Sequence, residues 1–410
     1  MIQNNNIPAG YKNSTVGIIP QEWEVNPVKD FGKVVTGNTP STAEVSNYGD
    51  EYMFVSPVDL SDDKKYIFRT EKMLSSKGYA VSRKMPKGAI LYTCIGSTIG
   101  KIGIASCELT SNQQINAVIC NDKTEYLYYA LLFTTGRIKM LAGEQAVPII
   151  NKSAFENIKL AVPPLAEQRK IAEILGVWDE AIEKQSRLIE KLELRKRGLM
   201  QRLLTGRIRL PGFNTPWQKR RMKDCFEHIT DTSNGCEYLP MTISARLGLI
   251  SQKDKFDRVI AGDSLKKYTH IQKGDFAYNK GNSNLYEMGC IYRLKEQDAV
   301  VPFVYICFRP KQNVIGEFYQ HFFINHGLDR QLKRIITSGA RGDGLLNVDK
   351  TDFFELEIVY PPIAEQKAIA EVLTVADKEI ATHRKKLDAL RLQKRGLMQQ
   401  LLTGKTRVKI

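Results

Sequence analysis

From Ile171 the apolar residues recur every three or four positions as far as Leu203. One seam carries Ile171, Trp178, Gln185, Leu192 and Leu199, and the other Leu175, Ile182, Ile189, Lys196 and Leu203. A 3.5-residue spacing with charged flanks is the pattern of a coiled-coil helix. The same register returns as Ile369, Ala376, His383, Leu390, Leu397 and Leu373, Ile380, Leu387, Lys394, Leu401. The Pro-Pro pairs at 163–164 and 361–362 suit helix starts, and Gly206 and Gly404 suit helix stops. Each stretch thus predicts one helix of about 40 residues, a rod of roughly 60 Å. Both seams break at the same places, Gln185/His383 and Lys196/Lys394. Polar seam residues can fix register; the same positions can equally lie on a solvated margin.

The two helical stretches are copies. The 47 residues from Pro163 recur from Pro361 without a gap, 25 of them identical. Asn151, Lys152 and Phe155 pair in the same way with Asp349, Lys350 and Phe353, and Trp23, Lys29 and Asp30 with Trp217, Lys223 and Asp224. The chain therefore reads as a duplication, divided at 1–162 (first variable domain), 163–210 (long helix), 211–360 (second variable domain) and 361–410 (long helix). The second variable region begins where one helix ends and stops where the other begins. Compact domains often have neighbouring termini, so the helices are expected to run antiparallel. The fold class is α+β: two mixed α/β domains separated by two long antiparallel coiled-coil helices, related by an approximate twofold. Tyr126, Tyr128, Tyr129, Phe318, Tyr319, Phe322 and Phe323 fall at helical spacing ahead of each repeat, which predicts core packing over base stacking.

With 410 residues, 42% hydrophobic and 26% charged, the chain has the size of two or three globular domains and is neither collagen-like nor wholly disordered. Its 60 Lys+Arg against 45 Asp+Glu leave a net +15, which suggests a polyanion, nucleic acid before anionic membrane. Basic residues crowd the helix ends: Arg195, Lys196, Arg197, Arg202, Arg207 and Arg209, then Arg391, Lys394, Arg395, Lys405, Arg407 and Lys409. Such cations complement a helix C-terminus or touch phosphate, and a mixture of both is expected. Cys94, Cys107, Cys120, Cys225, Cys236, Cys290 and Cys307 contain no C-x-x-C pair and the chain has five histidines. Reduced thiols in the cytoplasm, with no zinc site, are expected. Residues 1–17 lack the apolar core of a signal peptide, and no run reaches the ~20 apolar residues of a membrane span.

Two similar domains on a rigid spacer suit duplex DNA, whose major groove recurs every ~34 Å along one face. In the first domain the GNTPST loop (37–42) offers Asn38, Thr39 and Ser41 to phosphates or base edges; such loops are also common plain turns. YTCIGSTIGK (92–101) fails as a phosphate loop because Gly96 and Gly100 are one residue too close and Ile102 replaces the metal-binding hydroxyl. It predicts a glycine-flanked hairpin exposing Ser97, Thr98 and Lys101. Asn112, Gln113 and Gln114 could offer bidentate amides to adenine or bond strand edges within the domain. In the second domain Arg246, Lys280, Asn282, Asn284 and Arg341 are the candidates, each with a structural ion pair or turn as its alternative role.

The duplicated P-P-[LI]-A-E-Q opening, the R-G-L-M-Q-x-L-L-T-G-[KR] ending, the entry segment GIIPQEWEV, and TGNTPST, FVSPVDL, MPKGAILYTCIGSTIGK and SNQQINAV resemble the specificity subunit of type I restriction–modification enzymes. The resemblance spans nearly the whole chain. It implies that each variable region is a target-recognition domain reading one half of a bipartite double-stranded DNA site. It implies too that the helices set the spacing and dock two methyltransferase (modification) subunits, and that a restriction subunit can join.

No catalytic apparatus emerges. The Pro-Pro pairs follow Val162 and Tyr360 and so fail the [DN]-P-P-[YF] pattern of an amino-methyltransferase. No ATPase loop is seen, and triplets such as Asp62-Asp63-Lys64 are too common to mark a nuclease. A non-enzymatic recognition subunit without cofactor or metal is expected. Its rivals are a self-contained endonuclease, which would cut with Mg²⁺ alone, and a coiled-coil adaptor, which would lack salt-sensitive DNA affinity.

Overall fold

The computed structural model describes residues 7–61, 64–120, 124–142, 147–232, 238–256, 262–281, 285–336 and 346–409. The chain divides into two compact units, 1–189 with 383–410, and 190–382. Both long helices, Leu165–Leu203 and Ile363–Leu401, pass from one unit to the other. Each unit therefore holds one α/β domain and a segment of each helix.

In the first unit a sheet runs in the order Gly32–Thr36, Ile115–Cys120, Ile90–Thr93, Ile102–Ala105, Tyr66–Ile67, antiparallel except at its last strand. Its strands read as near-continuous apolar runs because both faces are covered. Ile90, Tyr92, Ile104 and Val118 face one core with Leu127, Leu131 and the other apolar residues of helix Thr124–Leu141. Leu91, Ala105 and Ala117 face a second core shared with Val55, Met85 and Leu109. Those last residues belong to a second sheet, ordered Tyr48–Gly49, Lys72–Leu74, Tyr52–Val55, Leu109–Ser111, Lys84–Met85.

The second unit repeats this plan with different residues. One sheet runs Phe226–Ile229, Ile306–Pro310, Phe276–Asn279, Cys290–Arg293, and the other Gly248–Ser251, Leu239–Ser244, Ala299–Val301, Thr269–Ile271. Phe276, Tyr278 and Phe308 face the core that holds Phe318, Tyr319, Phe322 and Phe323, while Ala277 and Cys307 face the other. The aromatic residues expected to pack ahead of each repeat are all buried.

Where each domain begins and ends, its chain pairs with itself. Glu24–Pro27 lies antiparallel to Lys159–Val162, and Gln218–Arg221 to Glu357–Tyr360. Entry and exit thus meet at the Pro-Pro pair, whose first carbonyl accepts the side-chain amide of Gln168 or Gln366, each at 2.8 Å.

The helix segments pack antiparallel inside each unit. In the first, Ile171, Ala172 and Leu175 share a core with Met398, Leu401 and Leu402, while Asp179 meets Lys394 and Gln185 meets His383. In the second, Met200, Leu203 and Leu204 share a core with Ile369, Ala370 and Leu373, and Lys196 meets Asp377. The polar seam residues are thus satisfied by specific partners. Gln185 Nε2 lies 2.8 Å from His383 Nδ1 and donates to His383 O at 2.9 Å.

Beyond the helix ends a chain reversal brings an arginine back onto the opposite helix start. Gly404, at φ +70°, permits it: a Cβ there would lie 2.4 Å from Pro20 Cγ. Buried Glu167 accepts Arg407 Nε and Nη2, both at 2.8 Å, and Trp23 Nε1–H at 3.0 Å. Glu365 accepts Arg209 Nε and Nη2, both at 2.6 Å, and Trp217 Nε1–H at 2.8 Å. Bidentate, charge-assisted bonds of this kind are among the stronger polar contacts in proteins. No helix among the described residues is long and apolar enough to cross a membrane.

Candidate nucleic-acid interface

The first domain gathers most of its sequence candidates at one end. Gly37 N–H donates to Ile115 O and Asn38 N–H to Ser111 O, each at 3.0 Å. A Cβ on Gly37 would lie 2.2 Å from Asn112 O, so a glycine is what lets the 37–41 and 111–114 loops touch. Asn38 then braces a third segment: its Nδ2 donates to Val81 O at 3.1 Å and its Oδ1 accepts Arg83 N–H at 2.7 Å. The Thr39 hydroxyl donates to Gln113 Oε1. Tyr48 OH and Asn47 Nδ2 hold the carbonyls of Pro40 and Ser41. The Ser41 side chain is exposed.

The 94–101 hairpin completes this edge. Cys94 N–H donates to Gln114 O at 2.8 Å and Gly96 N–H to Pro148 O at 2.9 Å. Gly96 and Gly100 both have positive φ, the turn geometry that the glycine flanks predict. Ser97 is exposed and Thr98 half-buried, but Lys101 turns inward, donating to Pro57 O at 2.9 Å. Asn112 is also engaged internally: its Nδ2 donates to Gln114 Oε1 and its Oδ1 accepts Gln114 N–H. Gln113, by contrast, is exposed. Arg83, which no sequence motif singled out, lies exposed beside Asn38 with Nη1 donating to Thr36 O at 2.8 Å. Its only advance signal is its residue type.

Behind the edge is a buried polar layer. The Thr36 hydroxyl donates to Asn116 Oδ1 at 2.7 Å, and Asn116 Nδ2 to Cys94 Sγ at 3.2 Å. Burial pushes the Cys94 thiol up to about 12, so it stays protonated and unreactive at neutral pH. Among the described residues no cluster of His, Cys, Asp and Glu could hold a metal.

In the second domain Arg246 is exposed in the turn between Leu239–Ser244 and Gly248–Ser251. Tyr292 OH pins that turn through Ala245 O at 2.6 Å. Lys280 follows strand Phe276–Asn279, its carbonyl accepting Leu346 N–H at 2.9 Å. Asn282, Asn284 and Arg341 lie outside the described residues. Of the twelve cations near the helix ends, Arg195, Lys196, Arg209, Arg391, Lys394 and Arg407 form intramolecular ion pairs. Half of that basic cluster is therefore structural.

Residues 20–194 and 259–392 match the family described as type I restriction modification DNA specificity domain. The chain belongs to that family. DNA sequence specificity is accordingly its role. The specificity subunit of type I restriction enzyme MjaVIII from Methanocaldococcus jannaschii is 24% identical over 425 residues, covering 95% of this chain and 94% of that one. That of MjaIX, from the same organism, is 35% identical over 196 residues, 45% of each chain, less than half of that relative's length. In fold, the chain resembles the S subunit of the type I restriction–modification system of M. genitalium, with TM-score 0.55, 14% identity and 98% of each chain covered. A chain from a structure of type I R-M complex assembly gives the same TM-score, 0.55, over 95% of this chain.

Proposed function

We propose that the chain reads a bipartite, gapped double-stranded DNA target, one half-site per α/β domain, and directs two methyltransferase subunits to it in the cytoplasm, where a restriction subunit can join them. The observation that carries this reading is the duplication of a whole structural kit. The described strands of the second unit follow the order of those in the first with one edge strand fewer in each sheet, and each unit has the same Trp–Glu–Arg clamp (Trp23, Glu167, Arg407; Trp217, Glu365, Arg209) and the same Asp–Lys seam pair. What differs is the loop sequence on top, as two domains reading different bases require. The finer division at 1–162, 163–210, 211–360 and 361–410 treats the helices as an antiparallel coiled-coil spacer with approximate twofold symmetry. The Gln185–His383 contact, between positions equivalent under the repeat, is what such symmetry would produce at its centre.

Exposed apolar residues on the helices are duplicated too. Val177 and Val375 are equivalent and exposed, as are Leu194 and Leu392. Exposed apolar positions repeated in both copies suit two identical protein partners. The test is methylome sequencing of a host expressing this chain with its methyltransferase, against a host lacking this chain. A two-part motif with a fixed gap, present only with the chain, supports the reading. Chain-independent methylation, or Mg²⁺-dependent cutting by the isolated chain, would refute it.

A further inference from the structure

The braced edge of the first domain has an unusual chemical polarity. Its segments 36–41, 81–83, 94–101, 111–114 and 147–150 contain no Asp or Glu. Among the exposed side chains, Arg83 carries only donors. Gln113 carries a donor and an acceptor, and its Oε1 accepts the Thr39 hydroxyl. Asn38 and Thr39 are consecutive; the first holds the 81–83 segment and the second holds Gln113. Arg83 and Gln113 are thus fixed on either side of one dipeptide.

A bidentate contact from glutamine to adenine needs both amide atoms, one accepting from N6 and one donating to N7. Gln113 Oε1 already accepts the Thr39 hydroxyl, which ties that atom to the loop, and Arg83 presents only donors. In the major groove the base edge made of two acceptors is that of guanine, N7 and O6, whereas adenine places an N6 donor where a second acceptor is needed. We propose that Arg83 and Gln113 form a reading pair for guanine in the first half-site, Arg83 supplying the donors, with Asn38 and Thr39 as positioning residues. This rests on the DNA-reading function proposed above and adds the identity of the base. Asn112, Gln114 and Lys101, turned inward, are scaffold.

The cross-bracing explains why such a pair would discriminate. Arg83 is held through its own backbone by Asn38 and through Nη1 by Thr36 O, leaving its other guanidinium nitrogen atoms in a defined orientation. Loops that must be ordered on binding forfeit affinity to that ordering. Here the ordering is built in before DNA arrives.

The test uses the full chain assembled with its methyltransferase. The wild-type motif is read from the methylome, and binding is then measured on duplexes carrying each single base change in both half-sites. Arg83→Ala and Gln113→Ala should each lower the preference for guanine over adenine at one position of the first half-site by about tenfold or more. Discrimination throughout the second half-site should be unchanged, which serves as the control for folding. Thr39→Val should mimic Gln113→Ala, and Thr39→Ser, which keeps the hydroxyl, should restore the preference. If Arg83→Ala fails to fold, Arg83→Lys keeps the cation without the fork and should show the same relaxation. An unaltered first half-site in both Arg83 and Gln113 variants overturns the pair, as does relaxation confined to positions that are not guanine. A wild-type chain that confers no motif at all would instead refute the recognition function beneath it.

Discussion

Arg407 grips Glu167 with two parallel hydrogen bonds of 2.8 Å across 240 residues of chain. The carboxylate is fully buried, and the Trp23 indole N–H takes up one of its oxygens as well. Truncating the carboxylate leaves three N–H donors, from two residues, facing a void. Glu167→Ala should therefore destabilise the first unit by roughly 2–4 kcal/mol, below the top of the range for broken buried pairs because Arg407 is partly solvated and keeps Glu22. Calorimetry should show a transition lowered by several degrees, and Glu365→Ala should do the same in the second unit. An unshifted transition in both variants would refute a clamping role.

The seam lysines make a second, separable prediction. Lys394 is buried against Asp179 at 2.5 Å, and Asp179 also accepts Tyr129 OH. Removing one partner strands the other, whereas removing both leaves an apolar seam that a leucine can fill. Lys394→Leu should cost about 3 kcal/mol, and adding Asp179→Leu should recover much of it. A double-mutant cycle in denaturant measures the coupling, expected at roughly 1–3 kcal/mol. Strictly additive effects would mean that the pair contributes nothing.

His321 makes stability depend on acid. Its ring is almost fully buried, and its pKa is lowered to about 4, first by burial and then by Lys196, with Asp377 and Glu317 opposing and Lys295 adding to the shift. Asp377 lies 3.9 Å from Nδ1, beyond hydrogen-bond reach. The unfolded chain binds a proton near pH 6.5 and the folded chain only near pH 4, so the unfolded state gains as pH falls between them. The contribution is complete above about pH 6.5 and lost by about pH 4, on the order of 3 kcal/mol. Melting temperature measured across that window should fall less steeply for His321→Phe than for wild type; parallel curves would contradict the assignment.

Gly37 tests the braced edge. A methyl group there must displace Asn112 O, only 2.2 Å from the Cβ position. Gly37→Ala should cost roughly 1–3 kcal/mol of stability and weaken discrimination in the first half-site while sparing the second. Duplex binding with base changes in each half reads both effects. Equal loss in both halves would point to general unfolding and not to the edge.

How much of this could be read from sequence follows the range of the interactions. The long helices and their limits were legible because a 3.5-residue pattern is local, and the 198-residue repeat doubled the signal. The buried roles of Tyr126, Tyr129, Phe318 and Tyr319 were legible for the same reason. The Trp–Glu–Arg clamps were not, since Trp23, Glu167 and Arg407 are brought together only by the folded chain. Arg83 stayed invisible because its brace to Asn38 spans 45 residues. Asn112 looked like a base reader, yet its amide is consumed two residues away by Gln114, the local side-chain bond that asparagine favours in turns.

The long helices make the last prediction. One heptad adds about 10 Å of helix, close to three base pairs, and seven residues turn the helix by nearly two full revolutions, so the seam stays in register. Inserting a heptad at equivalent points after Gln185 and His383 should therefore retain both half-site sequences and lengthen the gap by about three base pairs. Three base pairs also rotate the duplex by roughly 100°, so the new site should bind more weakly than the old one does wild type. An insertion in one helix alone slips Lys394 from Asp179 and should abolish methylation. The methylome reports the gap directly, and a gap unchanged by the double insertion would mean that the helices do not set the spacing.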